Sequence, residues 1–373
     1  MLLVVAAACA GCGGSGKAQT VLETKRTVVA LALHGDDVAW LAGGRGARCP
    51  VSLWLRSSGR TTVLPLPRSV SAARVDDCSV FGSYGFAAVA LAGTDVAWIV
   101  NEPHEYVGVV SEGASSATPR LTSTLVRAAT GGGIVSPVGA SVGGIAATSA
   151  GLLYGTAHIA YRQTVVDDGT CDLDLARVGC RTRVDGGGVF AWSRGVSTRV
   201  PGLPPSAALA SAGNLLAVAA QPRSRWIHGA ARLASVQVRD ARNRIVMSVT
   251  APQEIDGLAL SKQLLAVGDG LTSTVSVYAV PSGRFLRAVP VSREPSTRIA
   301  AVGRRLVLWD AQHVFTVDPA TGRRRTIVGF AAPTHSEMGF YWTVTAVAVD
   351  GNRLAWAQTT PGGLSVVKVV DAG

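Results

Sequence analysis

The chain has 373 residues, 48% hydrophobic and only 16% charged, with a formal net charge of +11. That apolar fraction excludes intrinsic disorder, and 43 glycines without a three-residue period exclude a collagen-like chain. No apolar run reaches the ~18 residues of a spanning helix, so the length is read as one large all-β domain.

The first element is the N-terminal stretch MLLVVAAACAGCGGSGKAQT. An apolar run, Leu2 to Ala8, leads into Ala10-Gly11-Cys12 and a Gly/Ser tether. Small residues before a cysteine, followed by such a tether, resemble a bacterial lipoprotein signal. The resemblance implies lipidation of Cys12, with Cys9 the other candidate, and an extracytoplasmic, membrane-anchored or secreted chain. Residues 1–19 are therefore set aside from the fold as signal and tether. Four cysteines remain: Cys49, Cys78, Cys171 and Cys180. An even number in an exported chain points to disulfides. Cys171 and Cys180 lie nine apart and suit a loop staple, which leaves Cys49 with Cys78.

From residue 20 onward one ten-residue pattern recurs. It runs LALHGDDVAW from Leu31, VALAGTDVAW from Val89, IAATSAGLLY from Ile145 and LASAGNLLAV from Leu209. It continues as LALSKQLLAV from Leu258, IAAVGRRLVL from Ile299 and VAVDGNRLAW from Val347. Each copy is an apolar alternation, a polar turn and a second alternation, which predicts a β-hairpin. Two further strands follow in the fifth unit, VSVYAV (275–280) and RFLRAVP (284–290), and in the sixth, HVFTVD (313–318) and RRTIVGF (324–330). Four antiparallel strands repeated seven times predict a seven-bladed β-propeller spanning 20–373. Blades start near 29, 87, 143, 207, 256, 297 and 345. The last unit ends after LSVVKVV (364–370) and lacks a fourth strand, which TVLETKR (20–26) can supply, closing the ring. Trp40, Trp98 and Trp356 share one repeat position and are expected to pack between blades.

Units such as VYAVPSGRFLRAV and FTVDPATGRRRTI resemble the blades of bacterial YVTN, quinoprotein-like and WD-repeat-like propellers. The resemblance implies the propeller architecture. An Asp-x-x-Thr-Gly core like that of quinone-dependent propellers occurs clearly once, at Asp318–Gly322, without the closing tryptophan; no cofactor is expected.

Strand direction alternates, so connections sort onto two faces. The turns within each inner hairpin and between strands three and four are short. Connections between strands two and three, and between blades, carry the long insertions: 43–50, 67–84, 101–105, 128–142, 155–187, 221–234 and 331–343. Variable loops on a rigid scaffold are the usual place for binding, so this face is the candidate site. Its candidate binding residues are His104 and Glu105; Arg223, Arg225, Trp226 and His228; and His335, Glu337, Tyr341 and Trp342.

No HExxH, GxSxG or P-loop spacing appears. The acidic run Asp167, Asp168, Asp172 and Asp174 misses the EF-hand pattern and is read as a solvated loop rather than a calcium site. Of the 35 basic residues 31 are arginine, a bias read as coding composition, and no nucleic-acid partner is expected. The expected function is a lipid-anchored propeller acting as a monomeric binding or scaffolding module in the cell envelope. Its partner would be an envelope protein or a polysaccharide. The alternative is an exported propeller enzyme, a hydrolase, lyase or quinoprotein with its site in the central funnel.

Overall fold

The computed structural model describes residues 18–43, 52–64, 87–93, 95–101, 105–110, 121–123, 134–135, 141–149, 151–163, 180–193, 196–206, 208–220, 227–228, 235–250, 255–269, 273–291, 298–330, 342–360 and 363–372. All of its regular elements are strands. A leading strand β1 (Gln19–Thr24) precedes β2 (Thr27–His34), β3 (Asp37–Gly43), β4 (Ser52–Ser57) and β5 (Arg60–Leu64). Next come β6 (Ala87–Ala92), β7 (Asp95–Asn101), β8 (Glu105–Val110) and β9 (Leu121–Ser123). The third repeat holds β10 (Ile134–Val135), β11 (Ser141–Thr148), β12 (Gly151–Gln163), β13 (Cys180–Ser193) and β14 (Val196–Arg199). The fourth holds β15 (Leu209–Ala212), β16 (Leu215–Ala220), β17 (Ile227–His228), β18 (Ser235–Arg239) and β19 (Ile245–Val249). Then follow β20 (Ile255–Leu260), β21 (Leu264–Asp269), β22 (Thr274–Ala279) and β23 (Phe285–Pro290). The last two groups are β24 (Arg298–Val302), β25 (Arg305–Trp309), β26 (His313–Val317) and β27 (Arg324–Gly329), then β28 (Thr343–Asp350), β29 (Arg353–Thr359) and β30 (Ser365–Asp371).

Every repeat unit folds in the same register. The first residue of the decapeptide pairs with the tenth: Leu31 with Trp40, Val89 with Trp98, Ile145 with Tyr154 and Leu209 with Val218. Leu258 with Val267, Ile299 with Leu308 and Val347 with Trp356 complete the set. Five of the turns carry glycine at φ between 53° and 61°: Gly35, Gly93, Gly213, Gly303 and Gly351. That is the left-handed conformation a side chain resists. The fifth unit has Ser261-Lys262-Gln263 there instead. The Ser261 hydroxyl accepts from the Leu264 N–H at 2.9 Å and closes the turn without glycine.

The second decapeptide position is alanine in all seven copies, and this explains how the sheets stack. Opposite residues of antiparallel strands share a face, so Ala32 with Ala39 and Ala90 with Ala97 leave one face of each hairpin shallow. The large tenth residue of the next unit fills it. Trp98, 1% exposed, shares a core cluster with Ala32 and Ala39. Trp40 joins Ala348 and Ala355, and Tyr154 joins Ala90 and Ala97. Thus the tryptophans pack between sheets, as expected.

The inner strands β2, β6, β11, β15, β20, β24 and β28 neighbour one another in sequence order, and β28 neighbours β2. Sheets radiating from such a ring form a β-propeller. Six of them are four-stranded antiparallel blades. The expectation of seven four-stranded blades is corrected at the third repeat. There β10, β11, β12, β13, β14 and β17 form one six-stranded sheet, because β12 and β13 run on for 13 and 14 residues. The interval 155–187, expected as a loop, is therefore strand over 155–163 and 180–187. The outer partner of β30 is β1, with Thr24 opposite Ser365 and Thr20 opposite Lys368.

A buried hydroxyl chain sits where β1 and β2 meet the last blade. Ser365 Oγ lies 2.6 Å from Thr359 Oγ1, which lies 3.1 Å from Thr345 Oγ1. The backbone N–H of Val28 donates to Ser365 Oγ at 3.1 Å. Thr359 and Ser365 are both fully buried.

Candidate functional site

The long-connection face has one outgrowth among the described residues. Beyond the bulge at His158/Ile159, β12 and β13 continue as a ribbon past the body of the blade. The ribbon acquires a strand on each side. Ile134 and Val135 pair with Arg162 and Tyr161, and Ile227 and His228 pair with Thr182 and Arg181. The outer partner β17 comes from the long connection of the following unit, so two adjacent units share this platform. Its hydrogen-bonded order is β10-β12-β13-β17.

Register sorts the platform into two faces. Ile134, Arg162, Arg181 and His228 are opposite one another across four strands, and Arg183 lies two positions along on the same face. Val135, Tyr161, Thr182 and Ile227 form the neighbouring row on the other face.

At the ring's centre the inner strands begin on the same face. Their registers skip one residue at the same repeat position in four units, at Val29, Gly143, Asp256 and Thr345. Such bulges turn the strand ends. Arg298 opens β24 opposite Trp309. It meets solvent, yet enough protein surrounds it that desolvation lowers its pKa.

The predicted site residues divide as follows. His104, Arg223, Arg225, Trp226, His335, Glu337 and Tyr341 lie outside the described residues, as do Cys9, Cys12, Cys49, Cys78, Cys171 and Asp167, Asp168, Asp172 and Asp174. Glu105 opens β8, between Asn101 of β7 and Ser123 of β9. Trp342 immediately precedes β28 and is half-buried. His228 stands on the platform opposite Arg181. Glu105 and His228 belong to different sheets. Cys180 opens β13 opposite Gln163 and lies at the foot of a strand rather than in a loop. The sequence reading missed Arg162, Arg181, Arg183 and Arg298. The alternation Cys180-Arg181-Thr182-Arg183-Val184 was the available strand signal.

Among the described residues no three His, Cys, Asp or Glu side chains gather to hold a metal ion, and no helix is long and apolar enough to cross a membrane.

No protein-family model matches the chain, and no curated protein matches it. Solved structures do. The WD40 β-propeller domain of Doa1 is 11% identical, covering 94% of this chain and 97% of its own, at a TM-score of 0.45. Sqt1 of Saccharomyces cerevisiae is 12% identical over 95% and 99%, at 0.42. The computationally designed Ika8 protein is 15% identical over 93% and 98%, also at 0.42. These likenesses concern shape, and the propeller assignment rests on the sheets themselves.

Proposed function

We propose that the chain is an extracytoplasmic, lipid-anchored propeller that binds an envelope partner through its long-connection face. In this reading the six-stranded sheet is the seventh blade, and β1 closes the ring by completing the last blade. The pairing of β1 with β30 and the cyclic order of the inner strands support that closure. The observation that carries the binding role is the platform β10-β12-β13-β17, built by two units where the other sheets stop at four strands. Its row of Arg162, Arg181 and His228 suits an acidic envelope protein or an anionic polysaccharide. The short N-terminal segment bearing Cys12 supports a membrane anchor, with the proposed staples Cys49–Cys78 and Cys171–Cys180 stiffening the loops.

One experiment addresses both parts. The chain is expressed with its own N-terminus in a bacterium, as wild type and as Cys12→Ser. Wild type is expected to take up palmitate and sediment with membranes, and Cys12→Ser to do neither. A photo-crosslinking residue at position 228 is then expected to give adducts in those membranes that purified unlabelled chain competes away. The same residue at position 36, in the short turn after β2, gives none. Palmitate uptake that persists in Cys12→Ser and also in Cys9→Ser refutes the anchor, and equal adducts from both positions refute the face.

A further inference from the structure

A second cationic feature lies at the rim, apart from the platform. Between the outer strand β14 of one sheet and β18 of the next is an open cleft of about 570 Å³, walled by Arg199, the 201–204 segment, Gln237 and Arg239. The cleft is held together by the Asn243 side-chain amide, which donates to the Pro201 carbonyl at 2.7 Å.

Both arginines bond neutral partners. Arg199 lies along a glycine pair. Its Nη2 donates to the Gly187 carbonyl at 3.2 Å, and a Cβ on Gly188 would stand 3.0 Å from its Nε. A side chain at position 188 would crowd the guanidinium there. Arg239 donates through Nε and Nη2 to Gln237 Oε1 at 3.1 and 2.6 Å. Its Nη1 reaches the Asn243 carbonyl and Oδ1 at 3.0 and 3.2 Å. These partners are neutral. The adjacent carboxylate, Asp240, is turned away. Its Oδ2 takes Nε and Nη2 of Arg244 at 2.8 and 2.6 Å, and its Oδ1 takes the N–H groups of Arg242 and Arg244. Among the described residues no carboxylate pairs with Arg199 or Arg239.

A guanidinium carries five N–H donors. The bonds above leave four on Arg199 and one on Arg239, beside two uncompensated positive charges. Planar donor forks fixed in advance match the oxygens of phosphate, sulfate or carboxylate. We propose that this rim cleft binds an oxyanion of the phosphate type, held between the guanidinium groups of Arg199 and Arg239. Desolvation lowers the pKa of Arg239, so its charge is partly stripped of water before an anion arrives.

The test is calorimetric titration of the full chain with inorganic phosphate, against sodium chloride of equal ionic strength. Wild type is expected to saturate. Arg199→Gln is expected to weaken binding at least tenfold. Gly188→Ala keeps the charge but crowds Arg199, and is expected to weaken binding by less than Arg199→Gln. Arg60→Gln, an exposed arginine on β5, is expected to change nothing. Arg199 is exposed, so its variant folds even if Arg239→Gln does not. Absence of saturation overturns the proposal, and so does equal weakening by Arg199→Gln and Arg60→Gln. A second arm identifies the source of the anion. Retention on phosphatidylglycerol vesicles but not phosphatidylcholine vesicles, lost in Arg199→Gln, assigns a lipid headgroup. Saturable phosphate binding without retention assigns a free anion.

Discussion

Removing the Ser365 hydroxyl should loosen the seam between the first and last blades. Ser365 Oγ is the acceptor for the Val28 N–H and lies against Thr359 Oγ1. Both Val28 and Ser365 are 0% exposed. Ser365→Ala removes an acceptor from a buried donor, a change that costs about 1–3 kcal/mol. Thr359→Val leaves the Val28 N–H its acceptor on Ser365, so that variant alone should cost less. Both act on one hydroxyl chain, so the double variant should fall short of the sum by at least ~0.5 kcal/mol. Ser248→Ala, at an exposed position of β19, is the reference and should stay within about 0.5 kcal/mol.

The assay is urea denaturation followed by tryptophan fluorescence, paired with hydrogen exchange read by mass spectrometry. Exchange localises the effect, which matters in a chain this long. Peptides covering β2 and β30 should lose protection in Ser365→Ala, while those covering β20 to β23 keep theirs. The seam argument is refuted if the single variants are additive, or if protection falls equally in all blades.

Ala39 is fully buried in the shallow face that receives Trp98, so Ala39→Leu should overpack it and cost about 1–3 kcal/mol; an unchanged melting temperature would count against the stacking rule. Asp318 accepts from the Ala320 N–H at 2.8 Å, and this bond above all holds its carboxyl below the usual range. A lowered pKa in the folded state gives stability that is present above the ordinary aspartate pKa and lost as pH falls through the folded value. Asp318→Asn should therefore flatten the fall of melting temperature below about pH 4 and leave neutral pH nearly unchanged; an unchanged acid limb would remove the carboxylate from that balance.

The inner hairpins were legible because their geometry repeats. A first residue opposite a tenth, with an alanine face between, leaves the same mark seven times even where Trp40 becomes Val218 or a glycine turn becomes Ser261-Lys262-Gln263. The outer strands carry less of a mark. Strand β14 has four residues and β9 three, and their pairing is fixed by the sheet already formed rather than by a pattern of their own. The ribbon of β12 and β13 was hidden for a different reason. Its residues alternate arginine with small or apolar types, and arginine is read first as a loop residue in a chain so rich in it.

Residues available to a ligand fall where the repeat breaks. Apolar positions of the repeat are committed to stacking one blade on the next, and Trp40, Trp98 and Trp356 are spent there. The short turns are taken up in linking neighbours: the Gly35 N–H donates to Asp350 Oδ2 at 2.7 Å, and Arg353 Nη1 donates to the Gly35 carbonyl. Charge that is free for a ligand must come from residues outside this scheme. Arg162 and Arg181 lie on the extensions of β12 and β13, and His228 on the added strand β17, which the other sheets lack among the described residues. Arg199 follows Gly187 and Gly188, a pair found where no other unit has one, and Arg239 stands beside an aspartate already bound to Arg244. Both proposals therefore rest on departures from the repeat, and Arg199→Gln and a crosslinker at position 228 probe the two independently.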